Sequence, residues 1–312
     1  MVSGKDRSAE GKISCVAVFG GSGFLGGEIV KRLAAEGITA RVAVRHPDKA
    51  HIRKNLGQAR EILPVYADVR DETSVALAMD GCDAVVNSVG LYFERGSETF
   101  EAVHELGALN VAHQCAIQKV GRLIHISGIG ADMNSESSYV RARAKGELLA
   151  RDVFAKTTVF RPSVLFGPND RFINTLAEII RRSPILPLFG QGHTKLQAVY
   201  VGDVAWAALR ALGNPKSQER TYEFGGPRAY TYRALVELIL AQTSKRRLFL
   251  PVPFEVWDLL AAVASFLPVP PLTRDQVALM KRDNVIAKNA LSLEDLGVSA
   301  TALEDVLPQY AL

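Results

Sequence analysis

Two kinds of apolar pattern alternate through the first half of the chain. Short, nearly unbroken apolar runs at 14–19, 40–44, 61–66, 84–87, 123–126 and 158–160 have the length of strands buried on both faces. Between them lie helical stretches at 26–36, 50–56, 73–79, 97–118 and 139–154. Strands separated by helices imply right-handed crossovers and a parallel sheet covered on both sides.

After Arg161-Pro162 the pattern changes. Prolines at 162, 168, 184, 187, 251, 253, 268, 270 and 271 punctuate shorter elements, which suits a smaller, irregular lobe. Residues 197–201 read as a strand and Asp203 as the cap of the next helix, so 196–212 is expected to return to the main sheet. The expected architecture is therefore an α/β doubly wound parallel sheet with a smaller, interleaved C-terminal α/β lobe. A disordered lead-in is expected over 1–12, the sheet domain over 13–165 and the second lobe over 166–312.

The first strand runs straight into Gly20-Gly21-Ser22-Gly23-Phe24-Leu25-Gly26 and then into a helix. In a strand–turn–helix unit such glycines permit a tight turn, let the backbone approach a pyrophosphate, and let the helix pack on the strand. The phosphates meet unpaired N–H groups at the positive end of the helix. This is the fingerprint of a Rossmann dinucleotide-binding domain.

Composition narrows the picture by exclusion. A net charge of +4, with no basic block interleaved with aromatics, leaves no nucleic-acid footprint. Cys15, Cys82 and Cys115 are odd in number and far apart along the chain, matching neither a disulfide framework nor a zinc pattern, so a reducing compartment is expected. The histidines form no ligand cluster, and His193, on a glycine-bracketed turn, is expected at the surface. No apolar stretch is long enough to span a bilayer, and the polar, mixed-charge N-terminus lacks a secretory core.

The end of the second strand selects the cofactor. Arg45, followed by His46, stands where an arginine suits the 2′-phosphate of NADP(H) and an acid would suit NAD(H). NADP(H) is the favoured ligand, with NAD(H) as the alternative. Asp68-Val69 after the third strand and Asn87-Ser88-Val89-Gly90 after the fourth should line the same cleft, because ligands of open α/β sheets gather at strand carboxyl ends. Arg161 and Pro162 close the sixth strand and should form its other wall.

Ser127 ends the fifth strand and Tyr139 opens the following helix. Serine, tyrosine and a lysine four residues on would form a proton-transfer device for redox chemistry at a carbinol carbon. Here the third position is Arg143, a permanent charge whose planar head lacks lysine's compact reach. Lys145 does not replace it, since six residues turn a helix by about 240° past its starting face. Ser127, Tyr139 and Arg143 are therefore expected to form a vestigial or altered catalytic set.

The segment from Phe254 to Leu267 is an apolar helix with two charges, preceded by Arg246-Arg247 and followed by Arg274, Lys281 and Arg282. It suits a lipid surface, a partner's groove, or the roof of the second lobe.

Gly20 to Gly26, Arg45, Asp68, Ser127, Tyr139 and the run from Arg161 to Pro168 together resemble an atypical, extended short-chain dehydrogenase/reductase. Further motifs are more specific: Tyr92-Phe93-Glu94-Arg95-Gly96-Ser97-Glu98-Thr99-Phe100 with Val103-His104, Arg171-Phe172-Ile173-Asn174, Leu186-Pro187-Leu188-Phe189-Gly190-Gln191-Gly192, and Leu272-Thr273-Arg274-Asp275-Gln276-Val277 with Asp283-Asn284-Val285. This set is similar to the nucleotide-binding accessory subunits of respiratory complex I and their bacterial relatives. The resemblance implies a tightly held NADP(H) with a structural or assembly role. It also implies partners among the peripheral-arm and membrane subunits of complex I, and a peripheral position on the cytoplasmic or matrix side of the inner membrane. The alternatives are a soluble cytoplasmic reductase, epimerase or dehydratase acting on a nucleotide sugar, terpenoid or quinone-pathway intermediate, and a redox sensor whose cofactor occupancy regulates a partner.

Overall fold

The computed structural model describes residues 13–48, 61–243, 245–267 and 270–310. The expected lead-in over 1–12 and the helix expected over 50–56 lie outside the described residues.

The strands β1 (Cys15–Phe19), β2 (Thr39–Val44), β3 (Ile62–Tyr66), β4 (Ala84–Asn87), β5 (Arg122–Ile126) and β6 (Thr157–Pro162) form a sheet of order β3-β2-β1-β4-β5-β6, and the later strand Thr221–Phe224 extends it beyond β6 to make seven. Each neighbouring pair is parallel. The doubly wound sheet expected from the alternation is the sheet observed.

Strand alternation decides which residues face which layer. Val16 and Val18 turn to one side, where they meet Ile29 and Leu33 of the helix Phe24–Ala35 and Val204 of the helix Val201–Gly213. Ala17 and Phe19 turn to the other, against Val75, Val111 and Ala150 of the helices Glu72–Met79, Gly107–Ile117 and Ser138–Val153. Full burial of each Val or Leu side chain here contributes roughly 1.5–3 kcal/mol. The helix ends carry local signals: the carboxylate of Asp71 accepts from Thr73 N (3.1 Å) and the hydroxyl of Ser137 from Val140 N (3.3 Å).

A third cluster, containing Phe166, Ile173, Ile180, Leu188, Leu235 and Ile239, gathers elements that follow β6. Within it Ile185–Phe189 pairs in parallel with Leu248–Val252. Leu303, Val306, Leu307 and Tyr310 close this cluster from the far end of the chain.

Local readings are corrected in four places. The helix expected over 97–118 begins later, as a π-helical turn Glu101–Leu106 running into Gly107–Ile117. Residues 95–98 form a tight turn instead, with Gly96 at φ +57° and mutual bonds between Arg95 and Glu98 (2.9 and 3.0 Å). The strand expected over 197–201 is two short pieces, Lys195–Leu196 and Val199–Tyr200, that pair outside the seven-stranded sheet, so only the helix starting at Val201 returns to it. Asp203 therefore lies inside the first turn, three residues past the N-cap Tyr200, and its carboxylate instead accepts from Thr301 N (2.6 Å) and Thr301 Oγ1 (2.9 Å). Finally, Cys15 and Cys82, distant in sequence, lie with their Sγ atoms 3.0 Å apart because β1 and β4 are neighbours. A hydrogen bond to Cys15, reinforced by burial, pushes the Cys82 thiol up, so it stays protonated.

Candidate functional site

β1 is bonded to β2 on one side and β4 on the other, so the winding direction reverses between β1 and β4 and opens a crevice at their carboxyl ends. The glycine turn fills it. Gly20 adopts φ +74°, and Gly23 N donates to Gly20 O (2.9 Å) to close the turn. A Cβ on Gly26 would stand 2.3 Å from Gly20 O and 2.6 Å from Ser88 Oγ, so only glycine permits this approach. Ser88 fixes the opposite lip by donating through Oγ to Phe19 O (2.7 Å). The helix starting at Phe24 has no side-chain cap and no acid in its first turn, which leaves its N–H groups and positive end open to an anion.

These lips belong to one continuous cleft of about 2110 Å³. Gly20, Ser22, Gly23, Phe24, Leu25 and Gly26 line it, as do Arg45, Asp68, Val69, Ser88, Val89 and Gly90. Ser127, Tyr139, Arg143 and Pro162 line the deeper part.

Ser127 Oγ is buried, with 2% of the residue exposed, and has no hydrogen-bond partner. An orphaned hydroxyl on a cleft wall is costly unless a ligand completes it. The glycine cradle, which a Cβ on Gly26 would fill, and the uncapped helix N-terminus behind it are what fit a dinucleotide's pyrophosphate.

Tyr139 sits in an aromatic nest, stacked on Tyr92 and meeting the edges of Phe100 and His104. Arg143 Nη1 donates to the Tyr139 hydroxyl and the guanidinium lies 5.3 Å from the ring centroid. Burial raises the phenol above its ordinary range, and the charge of Arg143 opposes this without cancelling it. Lys145 points elsewhere, to Glu105 at 2.6 Å.

Residues 16–225 match the model of the NAD dependent epimerase/dehydratase family. The chain belongs to that family. It is 30% identical over 294 residues to the mitochondrial NADH dehydrogenase [ubiquinone] 1 alpha subcomplex subunit 9 of Dictyostelium discoideum, covering 93% of this chain and 82% of the relative. It is 32% identical over 295 residues to the mitochondrial NADH-ubiquinone oxidoreductase 40 kDa subunit of Neurospora crassa, covering 94% and 77%. The similarity expected from the late motifs is thus found. Among solved structures, the Citrobacter sp. triphenylmethane reductase complexed with NADP(H) superposes with a TM-score of 0.73 at 19% identity, over 95% of this chain and 99% of that one. The cofactor class of the epimerase/dehydratase family is NAD(P).

For an epimerase/dehydratase-family cleft, several expected residues stand in unexpected places. Arg161 is not on the cleft wall: its guanidinium is forked onto Glu147 (Nη2–Oε2 2.6 Å, Nε–Oε1 3.0 Å) and lies 3.6 Å from Glu223. Gly21 lies behind the turn, where a Cβ would press on Val18 O at 2.9 Å. Asn87 is buried against His125 (3.4 Å) and His46 is exposed. Asp68 does line the cleft, but Arg70 grips its carboxylate (2.9 and 2.6 Å) and holds it below the usual carboxylate range.

Three site residues carried no signal of their own in the sequence. Glu98, displayed by the turn at Gly96, lines the cleft and accepts from Arg45. His104 packs beneath Tyr139 and is pushed down to about 3, chiefly by burial. Asp275 reaches over from the second lobe, where its Oδ1 accepts from Ser137 Oγ (2.5 Å) and Tyr139 N (3.4 Å). Each lay within a quoted motif, yet only long-range contact assigns it a partner. Among the described residues no cluster of His, Cys, Asp and Glu could hold a metal ion, and no helix is long and apolar enough to cross a membrane.

Proposed function

We propose that this protein is an NADP(H)-binding accessory or assembly subunit of NADH:ubiquinone oxidoreductase, complex I, in which the dinucleotide is a retained structural group. The observation that carries this reading is the span of similarity: 93% and 94% of the chain align with relatives whose names place them in that enzyme. A span of that size takes in the second lobe as well as the dinucleotide-binding half.

In this reading the turn from Gly20 to Gly26 cradles the pyrophosphate at the helix N-terminus and Arg45 meets the 2′-phosphate. Asp68, Val69 and the segment from Ser88 to Gly90 line the adenosine and ribose region, and Ser127 and Tyr139 close the nicotinamide end. NADP(H) supplies hydride-transfer capacity when bound. The chain's own residues hold it, exclude water with the aromatic nest, and keep the Tyr139 proton in place. A ligand that binds only the folded state stabilises it in proportion to its occupancy.

The exposed apolar face around the helix Phe254–Ala264 supports a peripheral position on the inner membrane, against membrane subunits or lipid. Leu259, Val263 and Phe266 all project from it, Phe266 with 89% exposure. Native mass spectrometry of gently solubilised membranes tests the whole reading. The expected result is this chain within complex I with one NADP(H). Migration of the chain alone would overturn it.

A second reading is favoured by one observation, the convergence of Ser127, Tyr139 and Arg143 on the cleft. It makes the protein a reductase in which Tyr139 is the proton donor and Arg143 replaces lysine electrostatically. Turnover that disappears in Tyr139→Phe would establish it.

A further inference from the structure

A ligand pocket ordinarily measures about 300–1,000 Å³, and this cleft measures about 2110 Å³. The dinucleotide reading concerns its glycine-lined half, which leaves a second compartment unassigned. That compartment begins at Ser127, Tyr139 and Arg143 and runs into the second lobe, where Val164, Leu176, Ile179, Leu186 and Phe189 line it. It opens beside Trp257, Leu260, Val263 and Leu267, on the exposed apolar helix.

Three polar side chains along this path already have partners. Asp170 accepts from Ile173 N (2.6 Å) and from the Tyr310 hydroxyl. Gln276 Oε1 accepts from Thr273 N (3.0 Å), and Asn284 Oδ1 from Ser163 Oγ (2.5 Å). Asn169, Arg171 and Thr175 are exposed. The wall of Val164, Leu176, Ile179, Leu186 and Phe189 offers the sugar and phosphate groups of a nucleotide sugar no side-chain partner.

The inner end is different. Ser127 Oγ and Arg143 Nε are both buried and both without a partner. Two unpaired donors at the head of an apolar corridor call for an acceptor oxygen attached to a chain of methylenes.

Resting on the reading of the neighbouring half as a dinucleotide site, we infer that the second compartment binds a long-chain acyl group. Its carbonyl or carboxylate oxygen sits at Ser127 and Arg143, and its chain runs between the two lobes towards the helix Phe254–Ala264. The open apolar mouth admits the chain lengthwise. No covalent step is part of the inference.

The test uses the full chain stripped of bound dinucleotide, a dansyl-labelled undecanoate as fluorescent probe, and unlabelled carboxylates of eight to eighteen carbons as competitors. Affinity is expected to rise about threefold to fourfold per added CH₂ and to level off once the chain reaches the mouth. Val263→Glu and Leu260→Glu, at positions 62% and 49% exposed and so tolerant of charge, are expected to weaken the probe at least tenfold while 2′,5′-ADP binds as before. Length-independent displacement would overturn the assignment. So would displacement by decylubiquinone at lower concentration than hexadecanoate, which would assign the compartment to a quinone. Binding of 2′,5′-ADP without the probe sinks the acyl site alone, and binding of the probe without 2′,5′-ADP sinks the cofactor reading alone.

Discussion

Arg45 at the end of β2 donates to the carboxylate of Glu98, and both side chains stand on the cleft wall, 50% and 31% exposed. The pair exists because Gly96 turns the chain back and delivers Glu98 fifty-three positions away from its partner. Glu98 thus occupies Nη1 of Arg45, one of the donors that the proposed NADP(H) reading offers to a 2′-phosphate. A half-exposed pair of this kind contributes about 0–1 kcal/mol, which a dianionic phosphate can outcompete.

Glu98→Gln should therefore tighten 2′,5′-ADP by up to about fivefold, the equivalent of 1 kcal/mol, and leave 5′-AMP unchanged. Arg45→Ala should weaken 2′,5′-ADP about tenfold or more. Calorimetric titration of both nucleotides measures this directly. A weaker 2′,5′-ADP complex in Glu98→Gln would mean that the carboxylate positions Arg45 rather than competing for it.

Tyr139 should stay a phenol through the physiological range. Burial raises its ionisation, and Arg143 only partly offsets that. Ultraviolet difference titration of the native protein should show no tyrosinate signal below about pH 10 that vanishes in Tyr139→Phe. A signal near neutrality lost in that variant would restore Tyr139 as a working acid/base.

Gly26→Ala would press a methyl group onto Gly20 O and Ser88 Oγ. Overpacking of this kind costs about 1–3 kcal/mol and narrows the phosphate cradle as well. The expected outcome is a lower thermal midpoint together with loss of 2′,5′-ADP binding. An alanine variant that kept wild-type affinity would show that the turn does not approach the pyrophosphate.

Two buried histidines make stability depend on acid. Burial, with the charge of Arg143 adding to it, pushes His104 down to about 3 and His125 to about 4. An unfolded histidine takes up its proton near pH 6.5, so below that value the unfolded chain binds more protons than the folded one. The stability these residues contribute is complete above pH 6.5 and falls by about 1.4 kcal/mol per pH unit for each histidine as the pH drops towards their folded values. Urea midpoints between pH 7.5 and 5 should be flat at first and then decline. A midpoint that rose on acidification would contradict the burial of these rings.

The parallel sheet and its glycine turn were legible because each depends on short-range order. β1 is a run of apolar residues, Val16 to Phe19, followed at once by glycines whose backbone freedom no other residue supplies. Position at strand ends likewise foretold that Asp68, Ser88 and Ser127 would reach the cleft. It failed for Arg161, because the acids that capture it, Glu147 and Glu223, come from a neighbouring helix and strand that the local sequence does not indicate.

What the sequence by itself determined was the layered fold, the dinucleotide turn, and the substitution of Arg143 where proton transfer would use lysine. Each is a matter of residue type within a few positions of its neighbours. Only the tertiary structure decided that Glu98 faces Arg45, that Asp275 of the second lobe ties down the helix bearing Tyr139, and that the cleft continues as an apolar corridor. The first depends on the turn at Gly96, and the other two on how the second lobe closes on the sheet domain. That closure brings together groups as many as 138 positions apart, a separation over which local pattern carries no information.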